Sequence, residues 1–171
     1  MKTFVISDTH FGDAKIIDIV KRPFNSVEEM DATLIRNWNK VVTDNDLVYI
    51  LGDFAFKNPE YYLNQLKGRK ILVKGNHDNN IKGIVCRHFE STSDYLDTTI
   101  NNQRYIMCHY PISSWNGAFR GVIHLYGHVH RLGHISGRDL EIPQLPNAYS
   151  GNCEFYNYSL VEINKFKVEE G

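Results

Sequence analysis

The chain has 171 residues, with 19 Lys and Arg against 20 Asp and Glu, and a formal net charge of −1 with His neutral; this balance argues against the broad basic footprint of a long-nucleic-acid binder. Apolar residues make up 42% and charged residues 23%, the mix of an ordinary soluble globular protein, and the length predicts a single domain over 1–171 with a core of its own. No apolar run reaches membrane-spanning length, and Met1-Lys2-Thr3-Phe4-Val5-Ile6 reads as the start of a strand rather than a cleavable leader.

Thr3 to Ser7 is a β-branched and aromatic run, the first predicted strand, and it stops at Asp8-Thr9-His10-Phe11-Gly12-Asp13. Ligand-type side chains at i and i+2 face the same way on extended backbone; a loop with an Asx turn accounts for the same residues. Ala14 to Val20 predicts a short helix, broken by Lys21-Arg22-Pro23-Phe24-Asn25. Ser26-Val27-Glu28-Glu29 reads as a capping box, with Ser26 as N-cap and Glu29 reaching back. The helix that follows runs to about Val42, and Val27, Met30, Leu34, Trp38 and Val41 give it one apolar face.

Thr43 to Asp46 is a turn, and Leu47 to Leu51 a buried strand ending in Gly52-Asp53. Pro59 to Leu66 predicts a short helix with Pro59 in its first turn, ended by Gly68. Lys70 to Lys74 is a strand that delivers Gly75-Asn76-His77-Asp78. Asn79 to His88 holds a short helix. Tyr95 to Ile100 and Arg104 to Cys108 form a hairpin across Asn101-Asn102-Gln103, so the sheet is not all parallel. The second arm ends in His109-Tyr110-Pro111, and Ile112 to Arg120 is a loop carrying Trp115. Val122 to Tyr126 is a strand ending in Gly127-His128-Val129-His130. Arg131 to Asn147 is rich in Gly and Pro and reads as irregular. Tyr156 to Ile163 reads as a closing strand, whose open edge could pair in a dimer, and Lys165 onward as a charged tail.

Five strand ends thus present Asp8/His10, Asp53, Asn76/His77, His109 and His128/His130. Oxygen and nitrogen donors of this kind favour Mn²⁺, Fe or Zn²⁺ over a soft thiolate site. The set is large enough for two metals with one carboxylate bridging. Two metals about 3.5–4 Å apart clamp a phosphoryl group, acidify a shared water toward hydroxide and offset the charge that would repel it. No Cys is needed. Cys86, Cys108 and Cys153 have neither metal-type nor redox-type spacing and fit a reducing, cytoplasmic compartment.

The order Asp-x-His, Gly-Asp, Gly-Asn-His-Asp, His, Gly-His-x-His, spread over residues 8 to 130, is similar to that of the calcineurin-like metallophosphoesterase superfamily. Small bacterial and phage single-domain members resemble it further, from Ser7-Asp8-Thr9-His10-Phe11-Gly12 through Arg22-Pro23-Phe24 to Trp38-Asn39. The resemblance implies an α/β fold: a two-layer β-sandwich of mixed sheets flanked by α-helices, with ligands on loops at one end. It implies that Asp8, His10 and His130 hold one metal, that Asn76, His109 and His128 hold the other, and that Asp53 bridges them. Two divalent ions are expected, Mn²⁺ first, with Fe, Zn²⁺ or Ni²⁺ as alternatives. His77 is expected to protonate or stabilise the leaving group, with Asp78 orienting and supporting it. Where relatives usually carry His after Phe-Gly, this chain has Asp13, which removes that contact and adds negative charge near an anion site.

Beyond the motifs, Arg22 either grips a phosphate or is a surface residue before a Pro-made turn. Tyr110 and Trp115 either form a stacking wall for a base or simply pack. His124 reads as structural, His88 and His134 as surface residues, and Arg120 and Arg131 as a positive rim or as exposed ion pairs. Gly52-Asp53-Phe54-Ala55-Phe56-Lys57 lacks the phosphate-gripping Arg of the superfamily's protein Ser/Thr phosphatases. The expected activity is therefore hydrolysis of small or accessible phosphodiesters: cyclic nucleotides, aryl diesters, or short oligonucleotide and RNA ends. The alternatives are a phosphomonoesterase of small substrates and a non-catalytic metal-binding scaffold for a partner protein. Neither a membrane nor an obligate protein partner is expected.

Overall fold

The computed structural model describes residues 1–168 apart from 82, 84, 132, 133, 136, 137 and 140–144, and at 80, 85, 86, 134, 135, 138 and 139 it describes the backbone alone. In chain order the elements are β1 (Thr3–Ile6), α1 (Ala14–Ile19), α2 (Val27–Val41), β2 (Leu47–Ile50), α3 (Pro59–Leu63), β3 (Arg69–Val73), α4 (Val85–His88), β4 (Ser91–Ser93), β5 (Tyr95–Ile100), β6 (Gln103–Cys108), β7 (Ile123–Tyr126), β8 (His134–Ile135), β9 (Arg138–Asp139), β10 (Ala148–Ser150) and β11 (Val161–Glu162). One sheet runs β11-β1-β2-β3-β4, parallel from β1 to β4, with β11 antiparallel at its edge. The other runs β10-β7-β6-β5, where β5 and β6 are the antiparallel hairpin and β6, β7 and β10 are parallel. This is the expected α/β architecture of mixed sheets flanked by helices.

Strand alternation divides the core. Phe4, Ile6, Val48, Ile50 and Leu72 face the helices and pack with Ile16, Met30, Leu34 and Trp38. Val5, Leu47, Tyr49 and Val73 face the second sheet and meet Tyr105, Met107, Ile123 and Leu125. Each such side chain contributes about 1.5–3 kcal/mol by leaving water. Trp38 is fully buried and donates its indole N–H to the Lys67 carbonyl at 2.9 Å.

Ser26 caps α2 by accepting the Glu29 N–H at 3.2 Å, but Glu29 reaches one residue further back than a capping box requires, to the N–H of Asn25 at 2.8 Å. The apolar face of α2 stops short of its last turn: Val41 is exposed. The closing strand is far shorter than expected. Cys153–Tyr156 is a 3₁₀ turn and only Val161–Glu162 pairs with β1. The reason lies between them: Asn157 and Tyr158 sit at φ 53° and 58°, left-handed backbone that a strand cannot contain. Within the segment expected to be irregular, β8 and β9 form a short antiparallel pair; the rest of 131–147 up to residue 144 lies largely outside the described residues. Among the described residues, no helix is long and apolar enough to cross a membrane.

Candidate metal centre

Because β1, β2 and β3 run parallel in one sheet and β6 and β7 run parallel in the other, the five strand ends can deliver their donors to one place. The ligand atoms of Asp8, His10 and His130 lie within 4.8 Å of one another, as do those of Asp53, His109 and His128. Asp53 Oδ2 stands between the two groups, 3.6 Å from His10 Nε2 and 3.5 Å from His109 Nε2. Asn76 Oδ1 joins the second group at 3.2 Å from His109 Nε2.

The backbone is bent sharply to achieve this. Asp8, His10, Asp53 and His128 all have left-handed φ, between 50° and 69°, a conformation that costs a residue with a Cβ roughly 1–2 kcal/mol. Such strain persists where the surroundings over-determine it. Gly52, at φ 89°, also lies so close to Gly75 that a Cβ on it would meet the Gly75 backbone nitrogen at 2.7 Å. A Cβ on Gly75 would in turn collide with the Asp53 carboxylate. The two glycines before Asp53 and Asn76 are what let those loops touch.

Hydrogen bonds fix the ring orientations. His109 Nδ1 faces the Leu51 carbonyl at 2.8 Å, which turns Nε2 toward Asp53. His130 Nδ1 faces Glu154 Oε1 at 2.8 Å. The Asp8 carboxylate accepts the Ser7 hydroxyl at 2.6 Å and the His128 N–H at 3.0 and 3.1 Å, so it also ties the β1 end to the β7 end. The Gly12 N–H after His10 donates to Asp31 of α2 at 3.2 Å, and Asp31 accepts the Tyr62 hydroxyl of α3 at 2.8 Å.

The electrostatics suit a cation. Burial pushes the Asp8 carboxyl up to about 6, against the pull of His109 and His130. Burial and then Arg22 push the His10 ring down to about 3, and burial and then His109 push His128 down to about 4. Both rings therefore keep free lone pairs at neutral pH. Burial opposes charge on His109, yet its hydrogen bond to Asp53 and the charge of Asp8 carry it up to about 9. Asp53 is held well below the usual carboxylate range, again against burial, chiefly by His109. The His109 proton is thus the positive charge that two buried carboxylates call for, and a divalent ion supplies the same compensation. Buried His10 Nε2 has no hydrogen-bond partner among the described residues, which fits an atom facing a metal. All donors are nitrogen or oxygen, so the residues present fit Mn²⁺, Fe, Zn²⁺ or Ni²⁺.

Other expected site residues meet different fates. His77 is exposed, its ring 5.7 Å from that of His10, and its N–H donates to Asp53 Oδ1 at 3.0 Å. Asp78 does not reach for that ring. It commits both carboxylate oxygens to backbone N–H groups, of Asp53 (2.9 Å), Phe54 (2.9 Å) and Gly75 (2.7 Å). Arg22 is neither a phosphate grip nor a surface residue: it is buried, donating to Asp8 O at 2.7 Å, Thr9 O at 3.0 Å and Glu154 at 2.8 and 2.9 Å. Trp115 is not a stacking wall. It is buried with Ile106 and Val122 and donates to the Val122 carbonyl at 2.9 Å. Tyr110 stays at the site, half-exposed, with its ring edge-on to His109 and His128 at 5.1 and 4.8 Å.

His124 is buried with Nδ1 facing the Ile106 carbonyl at 3.1 Å, as a structural residue should be. His88 is half-buried against Glu60 at 3.3 Å rather than on the open surface; the side chain of His134 lies outside the described residues. The Arg120 side chain bonds Asn116 at 3.3 Å, and Arg131 supplies its backbone N–H to Glu154 at 3.0 Å. Asp13 caps α1 by accepting the Lys15 N–H at 3.0 Å and lies 3.8 Å from His10 Nδ1. Sequence reasoning missed Glu154, which lies beyond the motifs. The hydrogen bond from His130 and the Arg22 guanidinium hold its carboxyl down to about 2 against burial.

A cavity of about 210 Å³ opens at the site. Asn76 and His77 line it with the donors His10, Asp53, His128 and His130, Ile16 and Ile19 of α1 with the adjoining Val20 give it an apolar wall, and Asp13 adds a carboxylate. A larger groove of about 590 Å³, lined by residues of α2 and α3, contains none of the site's donors.

Residues 1–141 match the model of the calcineurin-like phosphoesterase superfamily domain. The uncharacterized protein MJ1445 of Methanocaldococcus jannaschii is 36% identical over 168 residues, covering 95% of this chain and 88% of its own. Among solved structures, the protein of unknown function AQ665 from Aquifex aeolicus has a TM-score of 0.71 at 26% identity, over 96% of both chains. An archaeal phosphodiesterase has a TM-score of 0.53 at 20% identity, over 100% of this chain and 99% of that one, a likeness of fold.

Proposed function

The chain belongs to the calcineurin-like phosphoesterase superfamily, and from that premise we propose that it is a dinuclear-metal-dependent phosphodiesterase acting on small or accessible diesters of nucleotide type. The observation that carries the reading is Asp53 Oδ2 standing between two donor groups, 3.6 Å from one imidazole and 3.5 Å from another. In this reading Asp8, His10 and His130 hold one ion, Asn76, His109 and His128 the other, and Asp53 both. Bound there, a pair of divalent ions, Mn²⁺ first among them, supplies Lewis acidity that acidifies a water and offsets the charge of the phosphate oxygens.

The chain's own residues do the rest. His77, exposed in the cavity, donates a proton to the leaving-group oxygen or stabilises its charge. Its backbone bond to Asp53 keeps the acid and the bridging carboxylate in fixed relation. Asp78 holds the two loops that carry them. Ile16, Ile19 and Tyr110 offer apolar and aromatic surface to a base or aryl group.

Preference for diesters follows from charge. Among the described residues lining the cavity there is no Lys or Arg, and Asp13 adds a negative group. Arg22, the nearby buried cation, is balanced by Glu154. A monoanionic diester needs less compensation than a dianionic monoester. Free Cys108 and Cys153 support a reducing compartment.

The test is hydrolysis of bis-(p-nitrophenyl) phosphate against p-nitrophenyl phosphate by metal-stripped protein, before and after Mn²⁺ is restored, with Asp53→Asn alongside. Manganese-dependent diester cleavage that the variant lacks supports the reading. A preference for the monoester overturns the diester assignment, and no turnover in metal-loaded protein overturns the enzyme.

A further inference from the structure

We propose that Glu154, held by Arg22, is the positioning residue that sets how tightly the Asp8, His10 and His130 group retains its divalent cation. The inference deepens the two-metal reading above and rests on it.

Glu154 comes from outside the motif set, on the turn that follows β10, and it is buried. Its Oε1 accepts from His130 Nδ1 at 2.8 Å and from Arg22 Nε and Nη2 at 2.9 and 2.8 Å; its Oε2 accepts from the Arg131 N–H at 3.0 Å. The turn is docked on the His130 segment itself. Asn152 donates to the Val129 carbonyl at 3.0 Å, and its side-chain oxygen accepts the Glu154 N–H at 2.9 Å. Arg22 faces two ways: one side grips Glu154, the other donates to the carbonyls of Asp8 and Thr9 at 2.7 and 3.0 Å. One buried guanidinium thus joins the loop carrying Asp8 and His10 to the carboxylate behind His130.

A carboxylate on Nδ1 fixes the tautomer, aims Nε2 and makes it a better donor. In the other donor group the corresponding nitrogen of His109 faces the neutral carbonyl of Leu51 at 2.8 Å. A purely structural ion pair would have no need to share its oxygen with a ligand imidazole. Losing the Glu154 carboxylate should therefore weaken one metal position and spare the other.

The experiment is Mn²⁺ binding to metal-stripped protein by equilibrium dialysis, with folding checked by circular dichroism, for wild type, Glu154→Gln, Glu154→Asp and the double variant Arg22→Met/Glu154→Leu. Glu154→Gln keeps the side-chain shape and an acceptor oxygen, so the comparison does not depend on the double variant folding. The expected result is two equivalents in wild type, with one weakened about 10–100-fold in Glu154→Gln and the other unchanged. Glu154→Asp, which keeps the charge, should recover part of the loss. Two wild-type affinities in the folded variants overturn the proposal, as does equal weakening of both equivalents, which would mark a general loosening of the fold. Wild type that fails to bind two ions overturns the two-metal reading itself, before any variant is compared.

Discussion

The Asp78 carboxylate accepts the backbone N–H of Asp53 at 2.9 Å, so the residue expected to orient His77 is instead bonded to the loop that carries Asp53. The same carboxylate accepts Gly75 and Phe54 N–H groups, which makes it a three-way staple beneath the site. Asp78→Asn should therefore cost about 1–3 kcal/mol of stability, the usual consequence of leaving a buried N–H without its acceptor, read by urea unfolding of metal-free protein. Its loss of turnover should be as large in a His77→Ala background as in wild type. A loss that disappears in that background would return Asp78 to the role of supporting the His77 ring.

His77→Ala should bind two Mn²⁺ ions with wild-type affinity and lose about 10²–10⁴-fold in kcat on a diester whose leaving group needs a proton. The side chain is exposed and its tie to Asp53 is through the backbone, so truncation leaves the ligands in place. A leaving group as acidic as p-nitrophenol should suffer less than an alkyl one. Equal losses on both would argue that His77 binds the phosphoryl group instead.

Asp13→Asn should narrow the gap between diester and monoester. Asn caps a helix about as well as Asp, so α1 and its apolar wall remain. Removing one negative charge from the cavity rim should raise kcat/KM for p-nitrophenyl phosphate roughly five- to tenfold, worth about 1 kcal/mol, with little change for the diester. An unchanged ratio would mean that the Asp13 charge is not felt by bound substrate.

Asp46 should set part of the acid limit of the fold. Its carboxylate accepts the N–H of Lys2 at 2.6 Å and the N–H and hydroxyl of Thr43 at 2.8 and 2.7 Å, and these bonds, the one from Lys2 first, hold its pKa down to about 2. A depressed carboxylate stabilises the fold above its unfolded value of about 3.9, and that contribution fades as pH falls toward the folded value. Melting temperatures of wild type and Asp46→Asn measured from pH 6 down to 2 should differ most at pH 6 and converge near pH 2. A constant difference across the range would contradict this.

The strands were legible because each is a short β-branched or aromatic run, and the donors because each sits where such a run stops. β4, β8, β9 and β10 were not. Ser91–Ser93 and Ala148–Ser150 are small, polar-rich segments that pair because a neighbouring strand offers an edge. The apolar residues near Tyr156 follow a strand-like pattern, but left-handed Asn157 and Tyr158 interrupt the strand it suggests. At the site, Asp8, Asp53 and His109 could be picked from their motifs. Arg22 could not be placed, since its partner Glu154 lies 132 residues away, and nothing local distinguishes a buried guanidinium from a surface one. Trp115 follows His109 in the same loop yet packs away from it, against Ile106 and Val122.

The most direct test of the account is diester turnover measured against the number of Mn²⁺ ions bound per chain, as metal-stripped protein is titrated. The account predicts negligible bis-(p-nitrophenyl) phosphate hydrolysis while fewer than two ions are bound, full activity at two, and none in Asp53→Asn. Full turnover with a single ion bound, or no turnover with two, would contradict it.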